Sequence, residues 1–210
     1  FQKEWSKILE IKDFQFSHSN NPDALCIIPY TSGSTGFPKG CKHTNRTVNS
    51  VIHSYLKWLP VPHQATILTT LPLFHVTGMQ NSMNVPILNG NTIVLMTRWD
   101  TATALNLIKE YKVSSWRSIT TSIIDVVNSF NSELHDISSL LSIGGGGASM
   151  PQKVALKLKK LTKLDYVEAY GLTETMAPTH INPPQKIKLG SIGIPLFRSE
   201  ERRVGKECER

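Results

Sequence analysis

The stretch ALCIIPYTSGSTGFPKGCKHTNRTVNSVIHSYLKWL, Ala24 to Leu59, holds an apolar run, a glycine-rich turn and an amphipathic segment in that order. The run ALCII predicts a strand, and the segment from Thr44 predicts a helix. Between them, Tyr30 to Gly40 packs three glycines, four Ser or Thr hydroxyls, one proline and one lysine into one turn. These parts suit an anion: glycines let backbone N–H groups come close, hydroxyls donate hydrogen bonds, and Lys39 adds a point charge. The turn is not a Walker loop. Counted from Gly33, Pro38 stands where a glycine should precede the lysine, and Gly40 where Ser or Thr should follow it. A hydrolase nucleophile elbow centred on Ser34 is weakened as well, because Ser32 occupies the place of its first glycine. On composition alone, a phosphate cradle and a plain turn are equal readings.

Further strands are expected at Thr66–Thr70, Asn91–Met96, Ser114–Ile119, Leu140–Gly144 and Asp165–Tyr170, after a first at Ala24–Tyr30. Helical patterns fill the gaps. Asp100 is placed to N-cap TATALNLIKEY, whose Ala104, Ile108 and Tyr111 share a face. Pro151 suits the first helical position of a segment buried through Val154, Leu158 and Leu161. This alternation predicts an α/β fold, a mostly parallel sheet flanked by helices, with ligands at the carboxyl ends of the strands.

With 210 residues, 40% of them hydrophobic, the chain is long enough to bury a core. No apolar stretch reaches the roughly 18 to 20 residues of a membrane span, and no basic-then-apolar leader opens the chain, so a cytoplasmic protein is expected. Cys26, Cys41 and Cys208 lack metal-ligand spacing and read as plain thiols. The net charge of +7 draws on the lysines of Gln152 to Lys163, which a solvated helix face explains more simply than nucleic acid does. Phe1 opens in mid-pattern, which suggests upstream sequence. The thirteen residues from Arg198, RSEERRVGKECER, switch abruptly to dense charge. They are similar to a translated sequencing adapter, so 198–210 is set aside as a foreign tail and 1–197 as the credible chain.

Two more stretches carry chemistry: LPLFHVTG, with His75 just after a strand, and YGLTET, with Tyr170 to Thr175 ending another. A lone histidine is more often a hydrogen-bonded core residue, and a Thr-Glu pair often just caps a helix. Taken in order, however, YTSGSTGFPKG, LPLFHVTG and YGLTET resemble the adenylate-forming (AMP-binding) superfamily. The strings GCKHTNRTV, SIGGGGASMP and EAYGLTETMAPTHINPP more closely resemble bacterial long- and medium-chain fatty-acid:CoA ligases, the acyl-CoA synthetases. The resemblance runs from about residue 20 to Phe197.

It implies part of the large N-terminal domain of an acyl-CoA synthetase-like fold. It also implies activation of a fatty acid as acyl-AMP with loss of pyrophosphate, followed by transfer to coenzyme A. By resemblance, Thr31, Ser32, Gly33, Ser34, Thr35, Gly36 and Lys39 hold the β- and γ-phosphates of ATP. Glu174 holds Mg²⁺ against them, and Thr173 contacts the α-phosphate. Tyr170 stacks on adenine opposite Gly146, Gly147 and Ala148, and Gly171 and Leu172 border the acyl pocket. His75 orients the reacting carboxylate, and the segment Met79 to Leu88 walls the acyl chain. Catalytic roles thus fall to His75, Lys39, Thr173 and Glu174, and the substrates are fatty acid, ATP and CoA. No nucleic-acid partner and no transmembrane segment are expected; peripheral membrane contact and oligomeric state stay open.

Asn45 stands where many members carry histidine, which puts one supporting contact in doubt. The resemblance also expects a small C-terminal lid domain, with its lysine, that this chain lacks, so the chain alone is expected to be inactive. Relatives that activate aryl or amino acids share the phosphate parts and remain alternatives. A serine hydrolase using Ser34, or a nucleic-acid module using Lys157, Lys159 and Lys160, stands further off.

Overall fold

The computed structural model describes residues 21–31, 36–59, 61–197 and 199. Its centre is a seven-stranded sheet. Five strands run parallel: β5 (Thr66–Thr69), β6 (Thr92–Leu95), β7 (Ser115–Ile119), β8 (Ser142–Gly146) and β9 (Tyr166–Tyr170). Two short strands, β10 (His180–Ile181) and β11 (Ile194–Pro195), add antiparallel at one edge, giving the order β11-β10-β9-β8-β7-β5-β6. With two residues each, they offer no alternation for a sequence reading to catch.

The first expected strand does not join this sheet. Pro29, which has no N–H to donate, divides Ala24–Tyr30 into β1 (Leu25–Ile27) and β2 (Tyr30–Thr31). The partner of β1, antiparallel to it, is β4 (His43–Thr44), and that of β2 is β3 (Lys39–Gly40). Leu25 is 56% exposed, so an apolar run here does not mark a central strand. Asp100 does cap its helix, accepting from the Thr103 N–H at 2.8 Å, but Tyr111 lies past the end of the helix and is exposed. Pro151 likewise sits one place before its helix rather than at its first position.

Adjacent residues of a strand face opposite sides, which separates two cores. On one face Trp116, Ile143 and Tyr166 pack with α3 (Thr101–Glu110), α4 (Thr120–Ser129) and α5 (Gln152–Thr162). On the other, Val167 packs with α1 (Asn45–Trp58) through Val48, Ile52 and Tyr55. Those α1 residues recur at helical spacing, and full burial of each such side chain contributes about 1.5–3 kcal/mol. Thr44 starts α1 with a reciprocal cap: its Oγ1 accepts from Thr47 N–H, while Thr47 Oγ1 accepts from Thr44 N–H. A π-helical segment, Gly78–Asn84, continues into the short α2 (Val85–Leu88) on this same face, and Thr69 Oγ1 donates to Ser82 O at 2.8 Å to tie it to β5.

Because the chain goes outward from β5 to β6 and then back to β7, its carboxyl strand ends diverge between β5 and β7. That divergence is where a parallel sheet opens a crevice.

Candidate functional site

Two cavities meet at those strand ends. The larger, about 740 Å³, lies under Thr70 to His75, the end of β6 and the start of α4. The smaller, about 130 Å³, lies toward α1, between β7, β8 and β9. His75, Thr77, Gly146 and Gly147 line both, so His75 stands at the wall between them. The backbone aims this histidine: His75 N–H donates to Pro72 O at 3.1 Å, and Met79 N–H donates to His75 O at 2.9 Å. Its Nδ1 accepts from the Thr77 N–H at 3.2 Å, so the neutral ring carries its proton on Nε2. The exposed ring therefore offers a donor at the junction.

Tyr170 and Gly171, at the end of β9, line the smaller cavity opposite Gly146 and Gly147. Tyr170 is 43% exposed, with its ring edge-on to His180 at 6.1 Å. Leu172 is exposed and Ala148 is exposed beyond the β8 end, its carbonyl accepting from Thr120 Oγ1 at 3.0 Å. Neither lines either cavity. Of Met79 to Leu88, only Asn81 lines the smaller cavity; Met79 packs against the α1 core, and Ile87 and Leu88 are exposed. The expected apolar wall is thus polar at this point.

Thr173 and Glu174 lie in a 3-10 turn, Thr173–Thr175. Glu174 is exposed and borders a third cavity, about 460 Å³, with His43 and Thr47. His43, only 4% exposed, joins its Nε2 to Thr173 O at 2.8 Å. It follows the β2–β3 hairpin closely, so this bond ties the root of the glycine-rich turn to YGLTET across 130 positions of chain. Pro178 lines both this cavity and the smaller of the first two. Thr31 and Lys39 pair in the hairpin and Gly36 turns at φ +112°, while Ser32, Gly33, Ser34 and Thr35 lie outside the described residues. The Ser34 hydrolase reading therefore rests on a residue outside them. Asn45 donates from its side chain to Asn21 O at 3.2 Å and opens α1.

Among the described residues no three His, Cys, Asp or Glu side chains cluster as a metal cage. A lone carboxylate such as Glu174 still fits Mg²⁺, which is usually held by one or two carboxylates plus phosphate oxygens and water. Three polar residues that sequence reasoning passed over are built into the sheet and its flank. Arg117, 5% exposed, comes from β7 on the α1 face. Glu168, 4% exposed, accepts from Met150 N–H, and burial raises its carboxyl pKa although Met150 and Gly190 N–H groups oppose the shift. Asn182 donates to Glu168 O and to Ser191 O. For Arg117 a signal existed: one full charge inside SSWRSIT, within an expected strand.

The sequence profile described as AMP-binding enzyme matches residues 2–207. The chain belongs to the AMP-binding enzyme family. Among relatives, it is 31% identical over 174 residues to a long-chain-fatty-acid–CoA ligase of Bacillus subtilis, covering 81% of this chain and 31% of that protein. It is 33% identical over 180 residues to 4-coumarate–CoA ligase-like 9 of Arabidopsis thaliana, covering 83% and 32%. The chain thus spans about a third of the length of these relatives. Its fold matches the inhibitor-bound N-terminal domain of FACL13 from Mycobacterium tuberculosis with a TM-score of 0.82 at 24% identity, covering 93% and 49%. It also matches O-succinylbenzoate coenzyme A synthetase from Bacillus subtilis, in complex with ATP and magnesium ion, with a TM-score of 0.78 at 26% identity, covering 91% and 40%. The mixed sheet flanked by helices is that of AMP-binding N-terminal domains. Among the described residues no helix is long and apolar enough to cross a membrane.

Proposed function

We propose that the full-length protein is an ATP-dependent acid–thiol ligase, joining a carboxylic acid to coenzyme A through an acyl-adenylate. The observation that carries this reading is the placement of His75 and Gly146–Gly147 on the wall shared by two cavities. Such an arrangement suits two reactants, ATP and then a thiol, that meet one carboxyl group in turn. The acid enters the smaller cavity, and its carboxylate oxygen attacks the α-phosphorus of ATP as the bond to pyrophosphate breaks. The thiol sulfur of CoA then attacks the acyl carbon from the other side, and AMP leaves.

A carboxylate is a weak nucleophile toward an anionic phosphate, so the site must shield charge. Lys39 and the turn around it supply donors to the β- and γ-phosphates, and the Thr173 hydroxyl supplies one to the α-phosphate. Mg²⁺, held by Glu174, would neutralise further phosphate charge. Tyr170 offers a ring face to adenine, while Gly146 and Gly147 leave room for a flat base. His75 donates from Nε2 to the reacting carboxylate and orients it. The bond from His43 to Thr173 O ties the Thr173–Glu174 turn to the chain just after Lys39 and Gly40, which supports Lys39, Thr173 and Glu174 acting as one clamp. ATP and CoA as substrates, with Cys26 and Cys41 as free thiols, support a cytoplasmic setting.

The test is ATP–pyrophosphate exchange in the full-length protein. Lys39→Ala or Glu174→Ala should each slow exchange about 10²-fold or more, the usual loss when one such electrostatic contact to a transition state is removed. Unchanged exchange in both variants would discard the clamp.

A further inference from the structure

Arg117 is a full charge inside the α1 face of the sheet, and the protein leaves it incompletely satisfied. Its Nε donates to Tyr55 Oη at 2.7 Å and one terminal nitrogen donates to Ser142 Oγ at 2.7 Å. Both partners are neutral. The other terminal nitrogen, Nη1, is buried without any partner, and among the described residues no carboxylate lies within ion-pair distance of the guanidinium. Arginine does not discharge itself by losing a proton, so the cost of burying it stands.

This side chain lines the smaller cavity, the one that receives the acid. It sits two residues before the end of β7, roughly 7 Å below the strand end where His75 and Gly146 stand. Asn81, also lining that cavity and 8% exposed, has a buried amide oxygen with no partner. An amide turned end for end presents its NH₂ there instead. Tyr55 Oη, having accepted from Arg117, keeps its own proton to donate. A Cβ on Gly144 would lie 2.4 Å from Val167 O and 2.9 Å from Arg117 Nη1, so the neighbouring strand's backbone already requires glycine there and the guanidinium lies directly over it. Three polar groups, two of them unsatisfied, therefore line one cavity together with the apolar Leu59, Val167 and Ile181.

We propose that Arg117, with Asn81 and Tyr55, forms a subsite for an anionic group at the far end of the acid, so that the preferred substrate is a dicarboxylic acid. One carboxylate reacts beside His75, and the other completes the hydrogen bonding of the buried guanidinium. A plain alkyl end would bury against an unpaired charge and an unpaired amide, and a site built for a polar group discriminates strongly against an analogue that lacks it. The inference rests on the ligase reading above and names the acid that reading leaves open.

The experiment measures ATP–pyrophosphate exchange by the full-length protein with matched pairs, hexanoate against adipate and octanoate against suberate. The expected result is a kcat/KM at least about 10²-fold higher for one or both diacids than for the matched monoacid. Arg117→Met should abolish or reverse that preference, and Arg117→Lys should keep part of it. If Arg117→Met does not fold, the lysine variant and the unmodified protein's profile decide the matter. Exchange that favours the monoacid in both pairs overturns the subsite while leaving the ligase reading intact, and so does a preference unaltered in a folded Arg117→Met. Absence of exchange with every acid overturns both.

Discussion

Gly78→Ala offers a test of how the fold aims His75. A Cβ at this position would lie 2.2 Å from the carbonyl oxygen of Pro72, 2.9 Å from its carbonyl carbon and 3.1 Å from Leu71 O. Cβ atoms essentially never approach another heavy atom within 3.0 Å, and these neighbours are backbone, so no side chain can swing aside. Either the Leu71–Pro72 segment or the π-helical segment must move. Overpacking of this kind costs about 1–3 kcal/mol, and a clash with main chain belongs at the upper end. For a domain of about 150–250 residues, about 3 kcal/mol lowers Tm by roughly 6–12 °C, and for a larger one by less. The displaced atom is also the acceptor of His75 N–H, so a shift there turns the imidazole away from the junction. The full-length variant should therefore unfold at lower urea with an unchanged m value, and should lose acyl-adenylate formation about 10²-fold at a temperature where it remains folded. Wild-type unfolding and wild-type adenylation together would refute the argument that this glycine sets the histidine.

Glu168 should make stability depend on pH in the direction opposite to an ion-paired carboxylate. Burial raises its folded pKa above the ordinary value of 4.5, so the fold favours the protonated acid. The stabilisation is complete below pH 4.5 and is lost as pH rises through the raised value, because the unfolded chain releases this proton first. Urea titrations between about pH 4 and 8 should show that decline in the parent and a flatter profile in Glu168→Gln; parallel profiles would remove Glu168 as its source. His75→Ala should slow thioester formation at least as much as adenylation, because the ring borders both cavities. Single-turnover measurement of the two steps, with adenylation alone affected, would argue against that placement.

Five of the six expected strands are present to within two residues; four of them have sheet neighbours on both sides, and β6 closes one edge against β5. The sixth failed where periodicity was silent about Pro29 and about exposure of Leu25. Tyr111 failed for a similar reason: helical spacing continues past Glu110 in the sequence, but Lys112 at φ +49° turns the chain away. At the site, the motif strings located His75, Gly146, Gly147, Tyr170 and Gly171, which share one cavity. They could not show that His43 would bridge to Thr173, since that pairing joins residues 130 positions apart and depends on how β4 meets the end of β9. Nor does one chain reveal which face of β7 Arg117 takes; only the register of Trp116 into the α3–α5 core assigns it to the α1 side.

The run SIGGGGASMP shows why that assignment bears on function. Of its glycines, the resemblance gave roles to Gly146 and Gly147 alone; in the fold Gly144 has a different neighbourhood. Gly146 and Gly147 border the junction at the strand end, whereas Gly144, level with Arg117 in the β7–β8 ladder, lies under its guanidinium. Glycine inside a strand weakens it by roughly 0.5–1 kcal/mol, and a buried cation without a counter-ion weakens a fold much more. Two such costs at facing positions do not stabilise each other. A leucine at 117 would remove the charge, whereas glycine at 144 is required in either case, because its Cβ would lie 2.4 Å from Val167 O. The buried arginine makes physical sense once something negative enters between α1 and the sheet, because the ligand then supplies the partner that Nη1 lacks.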